Sequence, residues 1–447
     1  MTVALDISRL IARQSYSTPT GIDRFELNYA RWIRDRLGEK ALFIETGIGG
    51  PAAVGGSRVR SLIDSLNDRW TEGVSAEIQD RQIDAIVAAI DGHRIWHVRA
   101  KDRGPAGALR TASFANGAAR TMRGLASGWS AAAKASLLVH VSHTGLHKSE
   151  AFTWLRGKTR GGIFYVHDLI PLSHPEFVRA GEPERHFERM RTVLRHARLV
   201  LCNSQATARA LDQLATMQNL AQPRTTILPP GIDDVFLQAG RFPPVVTARP
   251  YFVCVGTIEP RKNHALLLNI WRRMIEQRGS NVPRLVLVGR RGWDNAQLFK
   301  LLDRPDILAN AVIEVPDCGD RALCRLLLGA SALLSPSFVE GYGMPVVEAL
   351  ALRVPVIASN IRSHREIAGA DATLLDPLDG RSWTEAIRAC AERPRRIRRD
   401  PRATLWTWSD HFRTFERFLS SDDRAMPILE GATWDGQIRT GPLLVPE

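Results

Sequence analysis

Short apolar runs alternate with longer helix-like runs along the second half of this chain, and this alternation constrains the fold more than any other feature. Strands that alternate with helices form a mostly parallel sheet covered on both faces. The strand-like runs are 251–256, 285–289, 312–315, 332–334 and 354–358, and the helix-like runs are 264–278, 320–329 and 345–352. The first half is less regular, with strand-like runs at 3–7, 137–142, 163–167, 199–203 and 225–228 and helix-like runs at 21–37 and 183–196. The sequence predicts an α/β protein.

The chain is also too long for one ordinary core. Its 447 residues predict more than one domain. Gly240, Pro243, Pro244 and Pro250 cluster between the two halves and favour a connection there. We therefore assign residues 1–240 to a first α/β domain and residues 248–405 to a second. Residues 406–419 are predicted to form one late helix, which we group with the tail as a third unit, 406–447.

Composition excludes several classes of protein. Hydrophobic residues make up 44% of the chain and charged residues 24%, as in ordinary globular proteins. The five cysteines form no CxxC pair, which is typical of a reducing compartment. No apolar run approaches the roughly 18 residues that span a bilayer, and Asp6 interrupts the apolar N-terminus, unlike a signal peptide. We expect a cytoplasmic protein.

The formal charge of +13 favours an anionic partner: nucleic acid, an anionic membrane or a phosphorylated substrate. The chain has neither zinc-ligand spacing nor an RNA-binding aromatic motif, so we expect no nucleic-acid partner. Residues 100–134 are rich in alanine, glycine and serine and are strongly basic. They fit either a mobile surface loop or a peripheral contact with the anionic inner face of the plasma membrane.

Glu340 and Glu348 lie on either side of a predicted helix start. The strand at 332–334 leads into a loop that contains Gly341 and Gly343, and Pro345 suits the first turn of a helix. Glycines let backbone amides approach a ligand closely, and a helix start favours an anion. Both carboxylates can then face the crevice beyond the strand, where a carboxylate accepts two hydroxyl hydrogen bonds from a sugar. The plainer interpretation is a turn with two surface acids.

Two further loops indicate an anionic ligand. Residues 255–264 follow the first strand of the second half and open a helix, so Arg261 and Lys262 can face a diphosphate. A solvated basic helix start is the alternative. Residues 17–24, which include Gly21, lie between the first strand of the chain and a helix. One glycine is a weak signal without the other segments.

His167 and Asp168 end an apolar strand of the first half. Active sites of α/β proteins form at the carboxyl ends of such strands, although a His-Asp pair is also common as a purely structural feature. The chain contains no Asp-x-Asp pair of metal ligands, so we expect no metal ion and no cofactor.

These segments together resemble the signature of retaining glycosyltransferases of family 4, which use nucleotide sugars. The resemblance extends from residue 1 to about residue 420 and is most specific in 251–376. It implies the GT-B fold, in which two Rossmann-like, doubly wound domains face each other across a cleft. In such proteins a late helix crosses back to the first domain.

The resemblance also implies a role for each matched residue. Glu340 would approach the transferred sugar, His167 would hydrogen-bond a sugar hydroxyl, and Asp168 would fix the His167 ring. Thr257 stands where many family members have an arginine, so Arg261 is expected to substitute. The implied donor-phosphate ligands are Arg261, Lys262, Gly21, Gly341, Tyr342 and Gly343, and the implied nucleotide-binding residues are Glu348, Gly289 and Val347.

The matched segments are similar to those of bacterial transferases that build surface polysaccharides such as lipopolysaccharide. This similarity implies transfer of a hexosyl group with retained configuration to a saccharide or lipid-linked saccharide acceptor. GDP-mannose is the favoured donor, and a UDP-sugar is left open. Three alternatives stay open: a nucleotide-sugar epimerase of the same fold, a glycoside hydrolase with two carboxylates flanking one bond, and a non-catalytic basic scaffold on membranes or nucleic acid.

Overall fold

The fold consists of two parallel-stranded sheets, each covered by helices, in a computed structural model. The structure describes residues 1–16, 18–47, 50–72, 76–93, 134–156, 161–304, 306–308, 310–392 and 405–420. Most of the basic 100–134 segment and the tail after residue 420 lie outside the described residues. Within the described ranges, no helix combines the length and the apolarity that crossing a bilayer requires.

The first sheet and its helices form what we call the N-lobe. Its seven strands run in the order β3-β2-β1-β4-β5-β6-β7, and β3 pairs antiparallel with β2. The strands are β1 (Val3–Asp6), β2 (Ala41–Gly47), β3 (Gly50–Ala53), β4 (Leu137–His140), β5 (Gly162–Val166), β6 (Ala197–Cys202) and β7 (Arg224–Ile227). The helices of this part of the chain are α1 (Ser8–Arg13), α2 (Gly21–Leu37), α3 (Gly56–Asn67), α4 (Ala76–Ile90), α5 (Ile170–Ser173), α6 (Glu182–His196) and α7 (Gln205–Met217).

The second sheet and its helices form the C-lobe. Its six strands are all parallel, in the order β10-β9-β8-β11-β12-β13. They are β8 (Tyr251–Val255), β9 (Arg284–Val288), β10 (Val312–Val315), β11 (Ala332–Ser335), β12 (Val356–Ser359) and β13 (Thr373–Leu375). The remaining helices are α8 (Asp234–Leu237), α9 (His264–Arg278), α10 (Ala296–Leu302), α11 (Asp320–Gly329), α12 (Met344–Ala351), α13 (Arg362–Ala368), α14 (Gly380–Glu392) and α15 (Trp408–Ser420).

The strand order of the C-lobe positions the site. Successive strands are added outward from β8 to one side, and the order then reverses so that β11 pairs with the other edge of β8. The loops that follow β8 and β11 therefore leave the sheet side by side at its carboxyl edge. This reversal point is where ligands bind in open α/β sheets.

The two lobes exchange helices. Helix α15 packs in the N-lobe core, where Phe415 and Phe418 join Tyr29 of α2. In the opposite direction, Ile86 and Ile90 of α4 pack in the core of the C-lobe although α4 lies early in the chain. The division at residue 240 thus does not follow the packing at α4, because the apolar face of this helix is buried against the second sheet.

Candidate active site

Glu340 lies between two cations on the loop that joins β11 to α12. Its Oε2 accepts a hydrogen bond from Arg261 Nη1 at 2.6 Å, and its Oε1 accepts from Lys262 Nζ at 2.5 Å and from Ser337 Oγ at 2.8 Å. The carboxylate is almost fully buried, which alone would raise its pKa, but Arg261 and Lys262 outweigh burial and hold the pKa of Glu340 well below its usual range. Glu340 is therefore a buried, ionised carboxylate at neutral pH.

The loop after β8 carries these cations and is tied to the loop after β11. Arg261 also pairs with Glu259 at 2.5 Å, and its backbone carbonyl accepts from Phe338 N at 2.8 Å. Gly289, at the end of β9, approaches this loop so closely that a Cβ there would lie 2.1 Å from the Gly256 carbonyl oxygen. Gly289 therefore permits the close packing of two strand ends, beside which a nucleotide is predicted to bind.

His167 reaches the same region from the N-lobe. It follows β5, and its Nε2 donates to the Val141 carbonyl at 2.8 Å, which leaves Nδ1 as the acceptor. Burial lowers the pKa of His167 to about 4, so the ring is neutral at pH 7. The expectation that Asp168 fixes this ring is wrong. Asp168 Oδ1 instead accepts a hydrogen bond from Ile170 N at 3.1 Å, at the first residue of the short helix α5.

The two predicted half-sites are adjacent. Gly341 sits so close to the N-lobe that a Cβ on it would lie 2.3 Å from the His167 carbonyl oxygen. The Gly341 carbonyl accepts from Ser204 Oγ at 2.8 Å, and the charge of Asp168 raises the pKa of Arg261 further. His167, Asp168 and the Glu340 cluster consequently lie close together where the two lobes meet.

Glu348 lies in α12, about one turn after the helix start, and its carboxyl makes no hydrogen bond to the described part of the chain. Burial raises the pKa of Glu348 to about 8, while the positive charge of Arg24 acts in the opposite direction. At neutral pH this carboxyl is mostly protonated, so it can both donate and accept a hydrogen bond. Such a group suits a ligand that offers hydroxyls.

The remaining predicted residues occupy three different environments. Gly343 immediately precedes α12 and Gly21 is the first residue of α2, so both lie at helix starts. Tyr342 packs on the C-lobe core. The Val347 side chain is buried inside that core, and only its backbone faces the loop, through a hydrogen bond from its N–H to the Gly343 carbonyl at 3.3 Å. The role of Val347 in nucleotide binding stays a prediction.

Sequence reasoning did not assign Arg24 or Asp320, although they link the lobes beside Glu348. Arg24 of α2 forms a bidentate ion pair with Asp320 of α11, one arm of which measures 2.6 Å. Neither residue belongs to a recognisable motif. Because their pairing depends on how two distant helices meet, the sequence carries no local signal for it.

No group of three or more His, Cys, Asp or Glu side chains in the described ranges is arranged to hold a metal ion. Arg261 and Lys262 supply positive charge to an anionic ligand beside the Glu340 loop. A diphosphate that approached this edge of the sheet would compete with Glu340 for both cations.

Known proteins resemble this chain in sequence and in fold. Residues 241–403 match the family model described as Glycosyl transferases group 1. The chain is 34% identical over 129 residues to the O-antigen chain mannosyltransferase B of Escherichia coli, covering 29% of this chain and 33% of the relative. It is 29% identical over 225 residues to the serotype-specific mannosyltransferase WbdA of Escherichia coli, covering 46% of this chain and 26% of the relative. The chain thus spans a third or less of these curated relatives.

A solved structure extends the likeness to nearly the whole chain. Anabaena Alr3699/HepE, in complex with UDP and glucose, matches with a TM-score of 0.61 and 15% identity over 94% of this chain and 100% of that chain. At this level of identity the match shows a shared fold, which confirms the predicted GT-B architecture of two Rossmann-like domains. Residues 241–403 therefore form a glycosyl transferases group 1 domain, carried as the second lobe of a protein with the GT-B fold.

Proposed function

We propose that this protein is a retaining glycosyltransferase that moves a hexosyl group from a nucleoside-diphosphate sugar to a saccharide or lipid-linked saccharide in surface-polysaccharide synthesis. The observation that carries the proposal is the clamp of Arg261 and Lys262 on Glu340 at the reversal point of the C-lobe sheet. Two cations there, beside a carboxylate and a second carboxyl that makes no hydrogen bond within the described part of the chain, suit a ligand that combines a diphosphate with hydroxyls.

The chemistry follows from where charge develops. When the bond between the sugar and the diphosphate breaks, negative charge grows on the leaving phosphate, and Arg261 and Lys262 stabilise it. Preorganised charges of this kind are usually the largest catalytic contribution. Glu348 binds the ribose hydroxyls, and Nδ1 of His167 accepts a hydrogen bond from a sugar hydroxyl. The acceptor hydroxyl attacks the face from which the diphosphate leaves, its proton passes to an oxygen of the leaving phosphate, and the anomeric configuration is retained.

Contact between the lobes protects the donor from water. Phe177 of the N-lobe stacks on Phe338 of the C-lobe with ring centroids 5.3 Å apart and planes 5° apart. Trp293 Nε1 donates to the Phe177 carbonyl at 3.2 Å. With the lobes closed, hydrolysis of the bound donor is suppressed and transfer to an acceptor is favoured.

The names of the relatives favour GDP-mannose as donor and O-antigen synthesis as context, whereas the structural neighbour was solved with UDP. We rank GDP-mannose first and UDP-sugars second, with the reaction at the inner face of the plasma membrane. A thermal-shift panel of GDP-mannose, UDP-glucose and ADP-glucose separates them, because a ligand that binds only the native state raises its stability. We expect the largest shift with GDP-mannose.

The decisive assay follows radiolabelled mannose from GDP-mannose to a mannose-terminated acceptor. Lys262→Met removes one phosphate-facing charge and is expected to lower kcat/KM by about 10²–10³-fold. Lys300→Met, on the exposed face of α10, is the matched control and is expected to keep wild-type activity. Lys262→Met activity within tenfold of wild type would overturn the site. Isomerised sugar formed from donor without acceptor would instead identify an epimerase.

A further inference from the structure

A cavity of about 800 Å³ lies outside the candidate active site. It is bounded by α2 of the N-lobe, by the start of α15 and by the connection at 233–242, and none of the sequence-predicted site residues lines it. Its volume falls within the roughly 300–1,000 Å³ that small-ligand sites occupy. The cavity is therefore large enough to hold a ligand of its own.

One wall of this cavity is a row of stacked aromatic rings. The Trp32 and Phe412 rings are nearly parallel, with centroids 5.0 Å apart and planes 5° apart, and Trp408 also stacks on Phe412 at 5.5 Å and 24°. Trp408 is held in place because its Nε1 donates to Asp233 Oδ1 at 2.7 Å. Both tryptophans line the cavity, and the ring surface that stacking on Phe412 leaves uncovered suits the C–H face of a pyranose ring.

The other walls are polar but electrically balanced. The cavity lining includes four arginines and four aspartates among the described residues, so it favours a neutral ligand over a polyanion. Arg31 and Asp234 make no side-chain hydrogen bond or ion pair to the rest of the described chain, although both line the cavity. A guanidinium donates and a carboxylate accepts, so these two side chains can bind hydroxyls of a saccharide as donor and acceptor respectively.

The cavity extends along a helix of the N-lobe. It is lined by α2 from Arg24 to Asp35, a distance of roughly 16 Å at the rise of an α-helix. The Arg24–Asp320 ion pair, which also influences the pKa of Glu348, lies at one end of this stretch. The length exceeds that of one sugar ring, and the lining does not include Glu340, Arg261 or Lys262.

We propose that this cavity is a second saccharide-binding site, which holds a neutral oligosaccharide against Trp32, Phe412 and Trp408 and hydrogen-bonds it through Arg31 and Asp234. The inference deepens the proposed function, since the natural occupant would be a stretch of acceptor chain remote from the reacting hydroxyl. Long acceptors would then be retained between transfers, whereas short acceptors would not use the site.

The test is the binding of α-linked mannotetraose, measured by calorimetry on the full chain without any donor. We expect Trp32→Ala and Arg31→Ala to weaken binding at least tenfold, and we expect Trp32→Phe, which keeps a flat ring, to retain it. Arg272→Ala, on the exposed face of α9, is the matched control for Arg31→Ala and should bind as wild type. Thermal unfolding of each variant identifies those that fold.

Three outcomes would overturn the inference: no binding to wild type, equal binding to Arg31→Ala, or displacement of the tetrasaccharide by GDP, which would place it in the cleft. The result is independent of the proposed function. A protein that binds mannotetraose but transfers no sugar contradicts only the transferase proposal, and one that transfers sugar without this binding contradicts only the second site.

Discussion

Glu340 differs from two other buried glutamates, Glu348 and Glu26, in having its carboxyl contacted by two cations. Glu340 contacts Arg261 and Lys262, so its charged form is favoured despite burial. Glu348 and Glu26 lack such a contact, and burial raises the pKa of each to about 8. At neutral pH the glutamate on the loop, Glu340, is thus an anion, whereas the two glutamates in helices, Glu348 and Glu26, are largely neutral. This contrast is the physical basis for assigning Glu340 to charge balance and Glu348 to hydroxyl recognition.

The raised pKa of Glu26 can be measured through the pH dependence of the free energy of unfolding. Glu26 Oε1 accepts from Leu10 N at 3.1 Å, and burial together with the charge of Asp6 raises its pKa against the opposing hydrogen bonds of Ser142 and Leu10. An unfolded glutamate titrates near 4.5 and the folded one near 8, so between these values the unfolded chain binds fewer protons and stability falls as pH rises. The contribution of protonated Glu26 to the free energy of unfolding is fully present below pH 4.5 and is lost as the pH rises to 8.

Glu26→Gln should remove this pH dependence. We expect its free energy of unfolding to match that of wild type near pH 4.5 and to exceed it increasingly up to pH 8, by an amount on the order of a few kcal/mol. Glu39→Gln, at an exposed turn, is the control and should follow the wild-type profile. A constant offset between Glu26→Gln and wild type across this range would contradict the raised pKa.

At the scale of elements, the sequence predicted best where a local signal and the packing agree. Helix α2 was predicted with its observed bounds, because Thr20 and Asp23 form a capping box at its start, in which Thr20 N donates to Asp23 at 2.7 Å. Helix α9 was also predicted with its observed bounds. The convergence of the loops after β8 and β11 follows from strand order, which βαβ alternation makes predictable.

Other elements could not be predicted in this way. The β2–β3 hairpin carries Gly50 and Pro51, which are unfavourable in strands, and tertiary pairing imposes its conformation. The attachment of α4 to the C-lobe depends on long-range contacts, such as the hydrogen bond from Arg284 Nε to the Ile90 carbonyl at 3.1 Å. Ser337, which holds Glu340, was missed because a serine in a loop has many ordinary roles.

Because α4 packs on the C-lobe, a substitution in α4 is predicted to destabilise the C-lobe before the N-lobe. Ile86 is fully buried, so Ile86→Ala should lower the free energy of unfolding by about 2–5 kcal/mol. Hydrogen exchange should then accelerate in β9 and β10 of the C-lobe before β1 and β2 of the N-lobe. Ile63→Ala in α3, equally buried but packed in the N-lobe, should give the opposite order. Faster hydrogen exchange in β1 and β2 of Ile86→Ala, ahead of β9 and β10, would contradict the packing of α4 on the C-lobe.

At the scale of the whole molecule, the lobes are joined at several places besides the connecting segment. Glu366 of the C-lobe accepts hydrogen bonds from Gln205 N at 2.6 Å and Ala206 N at 3.2 Å, at the start of α7 in the N-lobe. A carboxylate is favourable at a helix start because the amides there are unpaired. Together with the exchanged helices, this contact keeps His167 facing the Glu340 loop.

The central claim is that residues of both lobes act on one donor molecule, and a double-mutant cycle tests it most directly. We would measure kcat/KM for transfer from GDP-mannose in wild type, in His167→Ala, in Glu340→Gln and in the double variant. Residues that act as a unit are strongly non-additive. We predict a coupling of about 1–3 kcal/mol, so that the double variant loses far less than the product of the two single losses. Fully additive losses, or wild-type activity in either single variant, would contradict a shared site.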